Sequence, residues 1–117
     1  MKLSAVTLPT SCMAAAVRFY THLGFALHRG GEQASFTTFQ VSEQHVNLRL
    51  INPDAPTPVA SLIIFAVDDV DVLYQSLVDK GLKPEFEPKD AEWGERYFHL
   101  RDPEGNELSF AQRIRRG

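Results

Sequence analysis

Cysteine and long apolar runs are nearly missing from this chain. Its one cysteine, Cys12, cannot form an internal disulfide, which excludes a small scaffold held together by disulfides. No apolar run approaches the length of a membrane-spanning helix. The first residues, Met1 to Ser4, lack the apolar core of a signal peptide, so the expected location is the cytoplasm.

An excess of charge of one sign is missing too. The 117 residues carry a formal net charge of −3, which provides no field to attract nucleic acid. Arg113, Arg115 and Arg116 form a small basic tail that we expect to be solvated. The hydrophobic fraction of 44% and the charged fraction of 23% are typical of a soluble globular domain. Neither a nucleic acid nor a membrane is therefore an expected partner.

The most informative stretch covers residues 97–110. Two alternating runs flank Asp102-Pro103-Glu104-Gly105-Asn106, in which Pro103 presets φ for a turn and Gly105 tolerates positive φ. This pattern predicts a β-hairpin. Because strand side chains alternate, one face is apolar, with Phe98, Leu100, Leu108 and Phe110, and the other carries Tyr97, His99, Arg101, Glu107, Ser109 and Ala111.

The first half of the chain has the pattern of a strand, a helix and three strands. Residues 3–8 predict a strand that ends at Pro9 and Thr10, and Ser11 is the predicted N-cap of the helix. The helix should end at Gly24, and its inward residues recur at helical spacing: Met13, Ala16, Val17, Tyr20 and Leu23. Residues 25–28 and 34–41 predict a hairpin, and 45–51 the last strand.

The second half repeats this pattern. The apolar run 62–67 predicts a strand covered on both faces, and Asp68 or Asp69 should cap a helix that ends at Gly81. The inward residues of that helix should be Val70, Leu73, Tyr74, Leu77 and Val78. Residues 85–87 are a poor strand candidate. The offset from Ala5 to Leu62 equals the offset from Gly24 to Gly81, which indicates an internal repeat.

These patterns together predict an α+β fold. We expect one domain over residues 1–117, made of two βαβββ modules of roughly 1–52 and 59–113. A proline-rich linker, residues 52–58, should join the modules. Their curved mixed sheets should enclose a concave cavity in which a ligand binds. Phe36 and Phe39 lie on opposite faces of one predicted strand, so one of them should reach this cavity.

The chain resembles the glyoxalase / bleomycin-resistance / extradiol-dioxygenase superfamily, also called the vicinal oxygen chelate proteins. The resemblance covers essentially the whole chain. It is carried by Val17-Arg18-Phe19-Tyr20, Leu23-Gly24-Phe25, Val67-Asp68-Asp69-Val70, Trp93-Gly94 and Arg101-Asp102-Pro103-Glu104-Gly105-Asn106. It implies the glyoxalase/bleomycin-resistance fold, but the superfamily spans lyases, isomerases, dioxygenases, thiol transferases and drug-binding proteins.

The resemblance also implies where a metal would bind. Metal-dependent members place their ligands on four strands, at positions that here hold Ala5, Asn47, Leu62 and Ser109. Alanine and leucine have no donor atom, and Asn and Ser oxygens are poor ligands for transition metals. We therefore expect no metal in the family position and no cofactor. An unorthodox site of His45, His99, Glu95 and Glu107 is the alternative, since these residues share a strand parity.

The candidate ligand-binding residues of the second half begin with Trp93. It resembles the aromatic residue that helps to line the drug groove of bleomycin-resistance proteins, and it could equally be a rim residue. Tyr97 and His99 share its strand face and match pocket-lining positions of fosfomycin-resistance relatives. A neutral histidine satisfied by a neighbouring strand is the alternative for His99. Glu107 lies on the same face.

Four further candidates offer polar groups. Asn47 and Arg49 share a strand face and could hold an anionic or amide group of a ligand. A salt bridge from Arg49 to Glu95 or Glu107 is the alternative. Thr7 and Ser109 offer hydroxyl groups, but no base is evident that would make either one a nucleophile.

Two functions are compatible with these residues. The first is a metal-free binding protein for a small, partly aromatic molecule, with antibiotics as a candidate class and a homodimer as the state that the resemblance implies. The second is a lyase or isomerase of the same superfamily. It would use an atypical metal site or metal-free acid–base chemistry by His99 with Glu107 or Glu95.

Overall fold

The computed structural model describes residues 3–54 and 62–114. The chain divides into two compact units, Met1–Val59 and Ala60–Gly117, whose described parts we call the first and the second module. Residues 55–58 of the predicted linker lie outside the described residues, as do Arg115 and Arg116 of the predicted tail. The predicted module boundaries and the predicted cavity stay predictions.

The first module contains β1 (Ala5–Thr10), α1 (Met13–Leu23), β2 (Ala26–Arg29), β3 (Phe36–Val41) and β4 (Gln44–Leu50). Its sheet has the order β1-β4-β3-β2, in which β1 is parallel to β4 and the other pairs are antiparallel. Every residue predicted to face inward from α1 is buried, and Gly24 ends the helix with a φ of 109°.

The two phenylalanines of β3 lie on opposite faces of the first sheet, as predicted. Phe39 is fully buried, and its ring centroid lies 5.8 Å from that of Tyr20 on α1. Phe36 is 44% exposed and pairs in register with Arg49. Because side chains of one strand alternate, Phe36 lies on the face of the sheet away from α1.

The second module contains β5 (Leu62–Ala66), α2 (Val70–Asp79), β6 (Lys89–Asp90), β7 (Glu95–Arg101) and β8 (Glu107–Arg113). Its sheet has the order β5-β8-β7-β6, with β5 parallel to β8, so it repeats the topology of the first module. The first strands and the helices of the two modules begin at the same sequence offset. The predicted α+β fold of two βαβββ modules is confirmed. Neither described helix is long and apolar enough to cross a membrane.

Helix α2 packs on the apolar face of the predicted hairpin. The ring of Tyr74 lies 5.4 Å from that of Phe98, edge to face, and Phe98 stacks 5.2 Å from Phe110. Asp69 caps the helix by accepting a hydrogen bond from the backbone of Val72 at 3.1 Å. Of the predicted inward residues, two are buried, two are half-buried and Val78 is 38% exposed. The buried stripe of α2 is therefore narrower than predicted.

The hairpin of β7 and β8 turns at the predicted residues. The buried carboxylate of Asp102 accepts hydrogen bonds from the backbone of Glu104 at 3.0 Å and of Asn106 at 2.8 Å. It also accepts one from the Asn106 side chain at 3.0 Å. Gly105 has a φ of 91°, which a residue with a Cβ atom rarely adopts. The turn fixes the register in which Arg101 lies opposite Glu107.

Three local predictions were wrong. Strand β1 continues through Pro9 and Thr10, because β1 is an edge strand of its sheet, where proline is tolerated. The N-cap of α1 is Cys12 and not Ser11. The hydroxyl that bonds to the backbone of Cys12 is that of Thr10. Strand β5 is not covered on both faces, since Leu62 is 56% exposed.

Candidate ligand-binding face of the second module

The face of the second sheet away from α2 carries most of the predicted site residues. Tyr97, His99 and Arg101 alternate along β7 with the buried Phe98 and Leu100. The register places Ser109 opposite His99. This face therefore presents aromatic and ionic side chains, whereas the other forms the core.

Four rings form what we call the aromatic strip, consisting of Trp93, Tyr97, His99 and Phe86. Ring centroids are 5.6 Å apart between Trp93 and Tyr97, and 5.3 Å apart between Tyr97 and His99. Phe86 lies 5.5 Å from Tyr97 and 5.2 Å from His99. Trp93 is 68% exposed, and its Nε1 donates a hydrogen bond to Glu95 at 2.8 Å. The strip ends in an indole whose orientation is fixed although most of it is exposed.

An ionic cluster adjoins the strip and consists of Glu85, His99, Arg101 and Glu107. His99 Nδ1 lies 2.7 Å from Glu107 Oε1 and 3.9 Å from Glu85 Oε2. Arg101 Nε donates to Glu85, one Arg101 Nη lies 4.0 Å from Glu107, and the other donates to the Gly105 carbonyl at 3.3 Å. The two carboxylates are thus held by one guanidinium and one imidazole.

Three members of this cluster have the donor types of a metal site. The ligand atoms of Glu85, His99 and Glu107 all lie within 4.8 Å of one another. The guanidinium of Arg101, however, contacts both carboxylates. An ion bound by these three residues would therefore have to compete with a fixed positive charge.

The positions that the resemblance assigns to a metal do not fit one. In the first module, Ala5 has no donor atom, and the Asn47 side-chain amide donates to the Thr7 hydroxyl at 3.2 Å. In the second module, Leu62 has no donor atom, and Ser109 offers one hydroxyl at 6% exposure. Such a donor set lacks the imidazole and carboxylate ligands that transition metals prefer. The expectation that no metal binds there stays a prediction.

The predicted residues fall into two groups, one in each module. The second module brings together Trp93, Tyr97, His99, Glu107 and Ser109 on one face. The first module brings together Thr7 and Asn47, and it leaves Arg49 exposed on the same strand as Asn47. Glu95 and Glu107, which were considered as partners of Arg49, bond instead to Trp93 and to His99 and Arg101.

Sequence reasoning missed Glu85, Phe86 and Lys89 as part of this face. The backbone N–H of Glu85 donates to the His99 carbonyl at 2.9 Å, which aligns the segment before β6 with β7. Lys89 Nζ lies 4.3 Å from the Phe86 ring centroid and 5.7 Å from that of Tyr97. Apolar and charged residues do alternate over 82–89, but Pro84 and Pro88 make a strand ladder there unfavourable, so the pattern did not predict that this segment joins the sheet.

A separate groove lies at the start of α2. It has a volume of about 760 Å³ and is lined by Val67, Asp68, Asp90, Arg96, Gln112, Arg113 and Ile114. Arg96 donates to both Asp71 oxygens, at 2.9 and 3.0 Å, and to Asp90 at 3.0 Å. The hydrogen bonds from Arg96 lower the pKa of Asp71 below its ordinary value. Arg96 is thus already paired, and the described residues that line the groove include no aromatic ring, so this groove is a weaker candidate for ligand binding.

Comparisons with known proteins identify the fold and the family. The profile of the Glyoxalase/Bleomycin resistance protein/Dioxygenase superfamily matches residues 2–110. The uncharacterized protein YraH of Bacillus subtilis is 48% identical over 46 residues, a match that covers 38% of this chain and 36% of that protein.

Solved structures with the same fold include a glyoxalase/bleomycin resistance protein/dioxygenase from Nocardioides. It is 20% identical, with a TM-score of 0.81 and coverage of 100% of this chain and 86% of that one. A bleomycin resistance determinant encoded on the transposon Tn5 is 19% identical, with a TM-score of 0.80 and coverage of 97% and 98%. A lactoylglutathione lyase from Agrobacterium tumefaciens is 17% identical, with a TM-score of 0.79 and coverage of 95% and 92%. At such identities these likenesses establish the fold alone. The profile match over nearly the whole chain establishes the family, and the chain belongs to the glyoxalase/bleomycin resistance protein/dioxygenase superfamily.

Proposed function

We propose that this protein binds a small organic molecule with a planar aromatic group, which stacks on the aromatic strip. The observation that carries the proposal is Trp93, which is 68% exposed yet held in place by its hydrogen bond to Glu95. An exposed indole normally costs free energy in water, and a ligand ring that covers it recovers that cost. The ligand would thus be held by ring contact.

Two further features support binding without a metal ion. The residues at the family's metal positions are poor metal ligands, so they support no metal ion that could act as a Lewis acid there. The carboxylates of the ionic cluster are already paired with Arg101 and His99. One structural neighbour is a bleomycin resistance determinant, which makes antibiotics with planar rings the first compounds to test.

Isothermal titration calorimetry against a panel of planar aromatic antibiotics tests this function. We expect at least one compound to bind the purified protein after EDTA treatment. Trp93→Leu should weaken its binding about tenfold, because stacking and the buried ring area are lost together. Phe19→Leu is the matched control, since it removes a partly buried ring from α1. The proposal fails if no planar compound binds, or if Trp93→Leu binds as tightly as the unaltered protein.

A second candidate function is metal-free acid–base catalysis, and one contact favours it. His99 Nδ1 lies 2.7 Å from Glu107, so the carboxylate orients the imidazole as it does in acid–base enzymes that pair these groups. A lactoylglutathione lyase is among the structural neighbours. His99→Ala separates the two functions, because a binding protein should lose modest affinity whereas an acid–base enzyme should lose most of its turnover. The compounds found by calorimetry provide the substrates for this assay.

The proposal extends to assembly, location and physiological role. We propose a homodimer on the basis of the family, and a cytoplasmic location because Cys12 is a free thiol, which a reducing compartment preserves. Light scattering after size-exclusion chromatography should give a mass of about twice 13.1 kDa. A monomeric mass would contradict the proposed assembly.

If an antibiotic is the ligand, expression of the protein should raise the antibiotic concentration that inhibits growth, and Trp93→Leu should abolish that effect.

A further inference from the structure

Lys89 lies on the aromatic strip with its ammonium group against ring faces. Its Nζ is 4.3 Å from the Phe86 ring centroid and 5.7 Å from that of Tyr97. Lys89 pairs in register with Tyr97, and residues directly opposite each other on antiparallel strands share a face. The lysine stem is thus already folded over the surface on which the ligand ring is proposed to stack.

Most of the charged side chains that contact the strip or the ionic cluster are already engaged. Glu85 and Glu107 contact Arg101 and His99, and Glu95 accepts the indole N–H of Trp93. Asp90, the neighbour of Lys89 on β6, is paired with Arg96. Within residues 3–54 and 62–114, Lys89 forms no ion pair. Lys89 is therefore a charge that touches the rings of the strip and is available to an anion.

We propose that the ligand is an aromatic anion, in which a planar ring stacks on the strip and a carboxylate, sulfonate or phosphate group pairs with Lys89. This inference rests on the proposed function and narrows its ligand class. An ammonium group offers three donors that can follow an anion in several geometries. Because the lysine stem already lies along the strip, pairing with the ligand orders little additional side chain.

The reach of Lys89 fits a ring substituent. Its Nζ is about as far from the Tyr97 ring as the Trp93 ring is, at 5.7 and 5.6 Å. A ring that stacks beside Tyr97 would thus have both the Trp93 indole and the flexible Lys89 side chain as neighbours. A cationic substituent placed near Lys89 would meet a like charge.

Three naphthalene derivatives that differ in charge test the inference by calorimetry at pH 7.5. They are 2-naphthoate, 2-naphthamide and 2-naphthylmethylammonium. We expect naphthoate to bind about fivefold more tightly than the neutral amide at low salt, the gain of a partly exposed ion pair. The difference should shrink at high salt, because exposed charges are screened.

Lys89→Met keeps most of the stem and removes the charge. It should abolish the preference for naphthoate over the amide and leave binding of the amide unchanged. Lys83→Met, which removes the charge of an exposed lysine outside the strip, is the control and should retain the preference. The inference is overturned if the amide binds and naphthoate does not bind more tightly, or if the preference survives in Lys89→Met. If none of the three compounds binds although a compound of the antibiotic panel does, the inference is overturned and the proposed function stands. If no planar compound of either set binds, the proposed function fails with it.

Discussion

Arg101→Met tests whether this arginine keeps divalent ions out of the ionic cluster. The ligand atoms of Glu85, His99 and Glu107 already lie within 4.8 Å of one another. Donors on a tetrahedral zinc ion lie about 3.3 Å apart, given bonds of about 2.0–2.1 Å. The observed separations from His99 Nδ1, 2.7 Å to Glu107 and 3.9 Å to Glu85, fall on either side of that value. Small side-chain rotations would therefore suffice to form a site.

The charge on Arg101 supplies the barrier to zinc. A divalent ion about 5 Å from the guanidinium is repelled by about 1.7 kcal/mol even at the dielectric constant of water, which corresponds to more than tenfold in affinity. Zinc titration by calorimetry should thus give at least about tenfold tighter binding to Arg101→Met than to the unaltered protein. Arg49→Met makes the same charge change in the first module and should show no gain. Equal zinc affinity in Arg101→Met and the unaltered protein would refute the reasoning, and stoichiometric zinc in the purified protein would overturn metal-free binding.

Three further predictions concern stability. Asp102→Ala should lower the Tm by about 10 °C, because the hydrogen bonds that Asp102 accepts in the turn are worth about 3 kcal/mol together. Asp102→Asn should lower the Tm by less, and equal Tm losses in the two variants would contradict this account. Gly30→Ala should unfold at a lower urea concentration than Gly24→Ala, although both glycines have positive φ. A Cβ atom at position 30 would lie 2.5 Å from the backbone oxygen of Phe36 on β3, whereas a Cβ atom at position 24 would meet nothing within 4 Å. Asp71→Asn should destabilise the protein at neutral pH and have no effect once the pH falls below the pKa of Asp71, which Arg96 lowers. Because the pKa of Asp71 is lowered in the folded protein, its ion pair with Arg96 contributes stability above the ordinary aspartate pKa and loses that contribution as the pH falls through the lowered pKa. A stability difference between Asp71→Asn and the unaltered protein that persists in acid would contradict this account.

The hairpin of β7 and β8 could be predicted almost completely from the sequence. Its two arms alternate without interruption, and Asp102 and Gly105 fix a short turn between them. With the turn fixed, a period of two places Glu107 on the same face as His99 and near it. Local rules sufficed here because the residues that meet are close in sequence.

The segment before β6 could not be predicted in the same way. Glu85 and Phe86 are separated from His99 by β6 and the loops on either side of it, and they lie beside it because of one backbone hydrogen bond to β7. The alternation of apolar and charged residues over 82–89 does not say which strand the segment meets, so the contact is visible only once the sheet has formed. Pro9 shows the converse, since a residue that breaks most strands is tolerated where tertiary structure makes its strand an edge.

The internal repeat fixes backbone positions but not their chemistry. His28 and Glu85 are separated by the offset of the repeat, and His45 and Glu107 are equivalent because each lies opposite the same position of β1 and β5. The two histidines have ring centroids 5.4 Å apart in the first module, whereas the equivalent carboxylates of the second module are held by Arg101. Equivalent positions of the two modules therefore carry imidazole rings in one and carboxylates in the other. The ligand must accordingly be inferred from the side chains of each module, because a repeated backbone topology does not give the two modules the same chemistry.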